Sequence, residues 1–178
     1  MLLVAYSGLR WGERAALTAD RIEAPLRRIT VDRQVLETRH GIKLSAPKGR
    51  KRRITMYPVR TPEEVRLSEW MAKRLHELPL DGLVFPSPRG CWARRSGYGK
   101  TIFHPAADAA GWPRSDDGRL CWTFHSLRHV FATWALAQPG ARLEDVSRLL
   151  GHSSVRITQD VYISPDGDIY DRFYRATE

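Results

Sequence analysis

The stretch "TFHSLRHVFATWALA", residues 123–137, places His125, Arg128 and His129 within five positions and then turns almost wholly apolar. Val130, Phe131, Trp134 and Leu136 recur at helical spacing, so the segment reads as a helix from His125 to Ala137 whose later turns are buried. His125 and Arg128 fall three residues apart, on one face of its first turn. A helix anchored in this way holds a polar pair rigidly at the edge of a cleft, as a binding or reacting site requires. His129 is the plain member of the trio, read as a structural or rim residue.

Outward from this helix the chain continues in the same style. Two further helical patterns follow, Leu143 to Leu150 and Ser154 to about Val161, with Gly140 and Gly151 as stops. Upstream, a helix is expected over Tyr98 to Ala110, between the loops "PLDGLVFPSPRGCWARRSG" and "GWPRSDDGRL". In "TPEEVRLSEWMAKRLHEL", Thr61 suits a cap, Pro62 the first helical position and Glu64 a capping box, with Leu67, Trp70, Met71, Leu75 and Leu78 on one face. Between Arg28 and Pro58 the runs "RRITVDRQVLE", "GIKLSA" and "RRITMYP" are strand-like, joined by turns at "TRHG" and "PKGRK". The opening segment, split by Gly8 and Gly12, suggests a helix, a break and a second short helix from about Arg10. The expected fold is α+β, mostly helical, with a small three-stranded antiparallel sheet in one domain.

Composition narrows the partners. The chain of 178 residues carries 29 Lys and Arg against 20 Asp and Glu, a net charge of +9 with a pI near 10.1. Such a balance favours a polyanion, nucleic acid above all. Cys91 and Cys121 form no C-x-x-C pair and no disulfide framework, which points to a reducing, cytoplasmic setting. No apolar run approaches the length of a membrane span, and the first twenty residues lack the pattern of a signal peptide.

Four short pieces carry chemistry: "SGLRWGE" (7–13), "APKGRKRR" (46–53), "HSLRH" (125–129) and "LLGHSSVRITQDVY" (149–162). If they converge, two guanidiniums, a lysine on a turn, two imidazoles and a phenol make a donor-rich site for an anion with one nucleophile. A carboxylate cluster for magnesium is missing, as is a G-x-x-x-x-G-K-[ST] loop, and "HSLRH" lacks the glutamate of H-E-x-x-H. No metal and no cofactor are expected.

In order and content the four pieces resemble the boxes of the tyrosine recombinase, or phage integrase, family: G-L-R-x-x-E, a lysine on a β-hairpin turn, H-x-x-R, L-G-H and a tyrosine shortly after. The resemblance implies the DNA breaking-and-rejoining fold and a site-specific recombinase that cleaves DNA through a 3′-phosphotyrosyl intermediate and religates it without metal or ATP. It implies that Arg10 is the first catalytic arginine, Glu13 its supporting acid and Lys48 the hairpin lysine. His125 and Arg128 are the H-x-x-R pair, His152 the L-G-H histidine and Tyr162 the nucleophile. Double-stranded DNA is the implied partner, bound by a homotetramer of the full-length protein, with no membrane.

Two positions have competitors. Lys51 and Lys43 contend with Lys48, which is favoured by its place after Pro47 on the turn. Tyr170 and Tyr174 contend with Tyr162, which the resemblance favours because ten residues after the L-G-H histidine is a spacing that family shows. A type IB topoisomerase and a non-catalytic DNA-binding remnant are the rival functions. The family also carries an N-terminal core-binding domain, whereas Met1 lies six residues before Ser7. Residues 1–178 are accordingly expected to be a catalytic domain without that partner domain.

Overall fold

The computed structural model describes residues 1–162, with side chains through residue 159. It is a mostly helical α+β fold with small antiparallel sheets. The chain opens with α1 (Leu2–Ala5) and α2 (Trp11–Ala15). Strands β1 (Ile22–Glu23), β2 (Arg28–Val31), β3 (Gln34–Thr38), β4 (Gly41–Ser45) and β5 (Arg53–Met56) follow. Then come α3 (Leu67–His76), α4 (Arg95–Tyr98), α5 (His104–Ala109), α6 (Ser126–Leu136), α7 (Leu143–Leu150) and α8 (Val155–Tyr162).

The three-stranded antiparallel sheet is present, but its strands are not the three runs read from the sequence. The run read as one strand from Arg28 is two, β2 and β3, parted at Asp32 and Arg33. Strand β2 pairs with β1 and β5 in a three-stranded antiparallel sheet of order β1-β2-β5, and β3 pairs with β4 in a hairpin of its own. The break has a steric and electrostatic cause. Val31 belongs to the main core, and Val35 packs on Ala15 of α2 and Ala16 just past its end. A continuous strand would put Arg33 on the same buried side between them. Instead the chain turns, Arg33 stays partly exposed, and the Asp32 carboxylate accepts hydrogen bonds from Arg21 and Arg33.

The helices follow the apolar periodicity, with two corrections. Helix α3 starts at Leu67 and not at Pro62. Thr61 and Glu64 instead close a loop, in which the Glu64 N–H donates to the Thr61 carbonyl at 2.9 Å and Glu64 has φ +62°. That loop presents Glu63 to the Tyr6 hydroxyl at 2.6 Å, a tertiary contact that outweighs the local capping preference. The helix expected from Tyr98 begins earlier, at Arg95, and runs through a π-helical turn over Gly99–Phe103 into α5. Among the described residues no helix is long and apolar enough to cross a membrane.

The core joins α1, the sheet, α3 and the start of α6 through Leu3, Val4, Leu9, Ile29, Tyr57, Met71 and Leu127. Phe131, Val146 and Leu150 continue it between α6 and α7. Gly8 lets α1 cross α6 closely: it has φ +65°, and a Cβ there would lie 2.5 Å from the Phe131 ring. That crossing brings the carbonyl of Gly8 and the side chain of Arg10 to the face where α6 begins and α7 ends.

Candidate active site

The end of α7 organises the site. Gly151 takes the left-handed conformation, φ 66° and ψ 44°. Its N–H donates to the Arg148 carbonyl and that of His152 to the Ser147 carbonyl, the two bonds of a Schellman motif. The next three carbonyls, of Leu149, Leu150 and Gly151, have no helical donor of their own, and each accepts from an arginine. Arg53 Nε donates to Leu149 at 2.9 Å, Arg128 Nη2 to Leu150, and Arg10 Nη2 reaches Gly151 at 3.5 Å. The negative end of the helix thus gathers three guanidiniums.

Arg10 is the N-cap of α2, in extended conformation. Glu13, three residues on, accepts the Arg10 backbone N–H at 2.8 Å and its Nη1 at 3.1 Å. Arg53 grips the same carboxylate with Nη1 and Nη2, both at 2.7 Å. The Glu13 side chain is fully buried, and burial alone would raise its pKa. The hydrogen bonds and charge of Arg53, followed by those of Arg10, bring it below the ordinary 4.5.

Arg128, in the first turns of α6, is only 2% exposed. Besides Leu150 it donates to the carbonyl of Gly8, so it lies beneath the surface of the cleft rather than on it. His125, the N-cap of α6, is exposed and sits edge-to-face with His129 at 5.3 Å between ring centroids. Its pKa is lowered by partial burial, then by His129, Arg128, Arg10 and Arg95. His152 is lowered further, to about 4, by burial and then by Arg128, Arg10, Arg53 and His125. Both imidazoles therefore feel Arg128 and Arg10, and the neutral form is favoured in each. His152 Nδ1 lies 2.7 Å from the hydroxyl of Thr158, a fully buried residue on α8.

Lys48 stands on the turn Pro47–Arg50, closed by a 2.8 Å bond from Arg50 N–H to Pro47 carbonyl. It lines a cleft of about 430 Å³ together with Lys51, Arg53, Arg148, Gly151 and His152. The fold therefore brings Lys48 and Lys51 to the histidine, on a loop that joins β4 to β5 of the other sheet and is not the hairpin turn expected, while Lys43 lies on β4. Tyr162 is the last residue of α8, and its side chain lies outside the described residues, as do Tyr170 and Tyr174. His129 faces a separate apolar groove with Trp112, Trp122 and Trp134.

Two residues escaped the sequence reading. Arg53 is the ion-pair partner of Glu13, and Thr158 the partner of His152. Arg53 shares an inward face with Thr55 and Tyr57, while the apolar Ile54 and Met56 point outward at 48% and 38% exposure. Alternation is present, but its polarity is inverted, so apolar patterning selects the wrong face. Thr158, one turn before Tyr162, could have been found only by asking what sits on the same helical face as that tyrosine.

A cationic cleft with neutral imidazoles at its rim, on a mostly helical α+β domain, defines a site for a phosphate-like oxyanion. The profile of the Phage integrase family matches residues 1–167, and the chain belongs to that family. It is 34% identical over 129 residues to tyrosine recombinase XerC of Nitrobacter winogradskyi, covering 72% of this chain and 37% of that protein. It is 33% identical over 165 residues to tyrosine recombinase XerD of Pseudomonas putida, covering 89% and 47% respectively. The chain thus spans between about a third and a half of the length of these relatives. Among solved structures, the Tn1549 transposon integrase in complex with a circular intermediate DNA superposes with a TM-score of 0.70 at 21% identity, covering 99% of this chain and 57% of that one. The XerA recombinase gives 0.67 at 24%, covering 99% and 56%.

Proposed function

We propose that this chain is the catalytic domain of a tyrosine-type site-specific recombinase acting on double-stranded DNA. The observation that carries the reading is the set of three guanidiniums on consecutive carbonyls at the end of α7, beside a histidine and a lysine-bearing turn. Family membership and the relatives' names support it, and a relative of the same fold was solved on DNA.

In the proposed reaction the Tyr162 hydroxyl oxygen attacks the scissile phosphorus. A 3′-phosphotyrosyl bond forms, and the bond to the 5′ oxygen breaks. Charge building on the non-bridging oxygens is met by Arg10, whose side chain is 22% exposed, and by the buried charge of Arg128 behind it. His125, neutral and exposed, accepts the phenolic proton. His152 Nδ1 shares a hydrogen bond with the Thr158 hydroxyl, and in the proposed tautomer Nδ1 accepts it, which leaves the ring proton on Nε2 for a phosphate oxygen. Lys48 gives a proton to the departing 5′ oxygen. Religation reverses these steps with a new 5′ hydroxyl, and the covalent bond conserves the energy. The proposed assembly is a homotetramer of the full-length protein on DNA.

The test is trapping on a nicked suicide duplex, with the modified residue located by mass spectrometry. The wild-type chain is expected to form a protein–DNA adduct on Tyr162, and Tyr162→Phe to form none while still binding DNA. An adduct that persists in Tyr162→Phe refutes the nucleophile, and no adduct with the wild type refutes the enzymatic reading.

A further inference from the structure

We infer that Arg53 is a positioning residue for Arg10, acting through Glu13. The inference rests on the recombinase reading, since its readout is DNA cleavage.

Arg53 comes at the end of a basic run, "KGRKRR" (48–53), and differs from its neighbours. Arg50, Lys51 and Arg52 are exposed, whereas the Arg53 side chain is only 7% exposed. Three of its five N–H donors are engaged within the protein. Two engage the two oxygens of Glu13 and the third the Leu149 carbonyl. Gly151 passes over its stem so closely that a Cβ there would lie 2.6 Å from Arg53 Cδ. A residue held at all three of its nitrogens in this way leaves the Glu13 carboxylate one orientation. From that orientation Oε2 takes the Arg10 backbone N–H and Oε1 takes Nη1, so the cap and the guanidinium of Arg10 are fixed together. The planar fork is essential to the device, because a lysine cannot meet both carboxylate oxygens and the carbonyl at once.

The experiment measures adduct formation by Arg53→Lys, Arg53→Met, Arg10→Ala and the double variant Arg10→Ala/Arg53→Met. Arg53→Lys keeps the charge beside Glu13, so it serves if Arg53→Met does not fold. Each variant meets a nicked suicide duplex whose scissile group is an ordinary phosphodiester or an uncharged methylphosphonate, which has less need of the Arg10 charge. Rates are referred to wild type on the same substrate, and folding is followed by circular dichroism. Arg53→Lys is expected to lose about 100-fold in adduct rate on the phosphodiester, the usual effect of a misplaced reacting group, with DNA affinity little changed. The deficit should shrink on the methylphosphonate in parallel with that of Arg10→Ala, and the double variant should be no slower than Arg10→Ala alone. Equal deficits on both substrates, multiplied deficits in the double variant, or a wild-type rate in Arg53→Lys would overturn the inference while leaving the recombinase reading in place. No adduct with the wild-type chain would overturn both.

Discussion

Glu13→Gln removes the one carboxylate among three converging arginines. Glu13 accepts four hydrogen bonds: from Arg10 N–H at 2.8 Å, Arg10 Nη1 at 3.1 Å, and the two Arg53 terminal nitrogens at 2.7 Å each. A glutamine keeps one acceptor oxygen, and its amide nitrogen is then turned toward a pair of donors, so two charge-assisted bonds are lost. The Arg53 charge, on a side chain 7% exposed, is left without its counterion. Breaking a buried ion pair by removing one partner costs about 3–5 kcal/mol, a large part of the roughly 5–15 kcal/mol that holds a domain together.

The sign of the pH dependence follows from the lowered pKa. Because the folded value lies below the ordinary 4.5, the stabilisation is fully present above 4.5 and is lost as pH falls through the folded value. Urea unfolding of wild type and Glu13→Gln from pH 7 to pH 3 measures this directly. The expected result is a loss of about 3–5 kcal/mol at pH 7 with an unchanged m-value, and a gap between the two proteins that narrows in acid. A deficit under about 1 kcal/mol at pH 7, or one that stays constant in acid, would refute the ion-pair account.

Gly151→Ala forces a side chain into a φ of +66° and against Arg53 Cδ at 2.6 Å, so urea unfolding should show a loss of about 2–4 kcal/mol; a loss below about 1 kcal/mol would mean that the α7 end is pliant. His152 has a folded pKa of about 4 against an unfolded 6.5, so the unfolded chain binds its proton first and this residue lowers stability as pH falls from 6.5 toward 4. His152→Gln should therefore lose less stability than wild type over that window, and parallel curves would refute the burial of a neutral imidazole. Lys48→Ala should cleave an ordinary phosphodiester poorly but recover when the bridging 5′ oxygen is sulfur, whose departure needs no proton, while Lys51→Ala stays near wild type on both. The reverse pattern assigns the proton to Lys51, and equal impairment of Lys48→Ala on both substrates removes the general acid from the turn.

Where punctuation was local, the sequence was a good guide. Gly151 ends α7 where "LLGH" says it should, and Arg10 begins α2 because Gly8 breaks the chain just before it. Positions decided by distant contacts were hidden. Thr61 and Glu64 offer a capping box, but Tyr6, far away in the chain, recruits Glu63 and turns that segment into a loop. Arg33 splits a strand because Val31 and Val35 serve different packing surfaces. The gathering of Arg10, His125, Arg128 and His152 was legible through the family that the four boxes resemble, and not through any local pattern. What no local pattern conveys is that Arg128 sits behind the cleft and Arg53 under it, since a run of basic residues looks solvent-facing until the α7 carbonyls supply acceptors.

Those acceptors explain why so much positive charge is tolerated. Arg10, Arg53 and Arg128 bring three charges and Glu13 returns one, so the cluster keeps an excess of two before either histidine is counted. Carbonyl dipoles and the helix end offset part of it, but dipoles do not neutralise a charge. The lowered pKa values of His125 and His152 are a consequence of that excess as well as of burial: adding a proton to either ring would place another cation in the same field. A phosphodiester supplies the missing negative charge, and its transition state supplies more, so on the proposed reading the network is most nearly balanced when the reaction is under way. In that arrangement the buried arginines are held for the geometry they impose on Arg10 and on the turn at Gly151, with the cost of their burial offset in part by the α7 carbonyls and completed by the substrate.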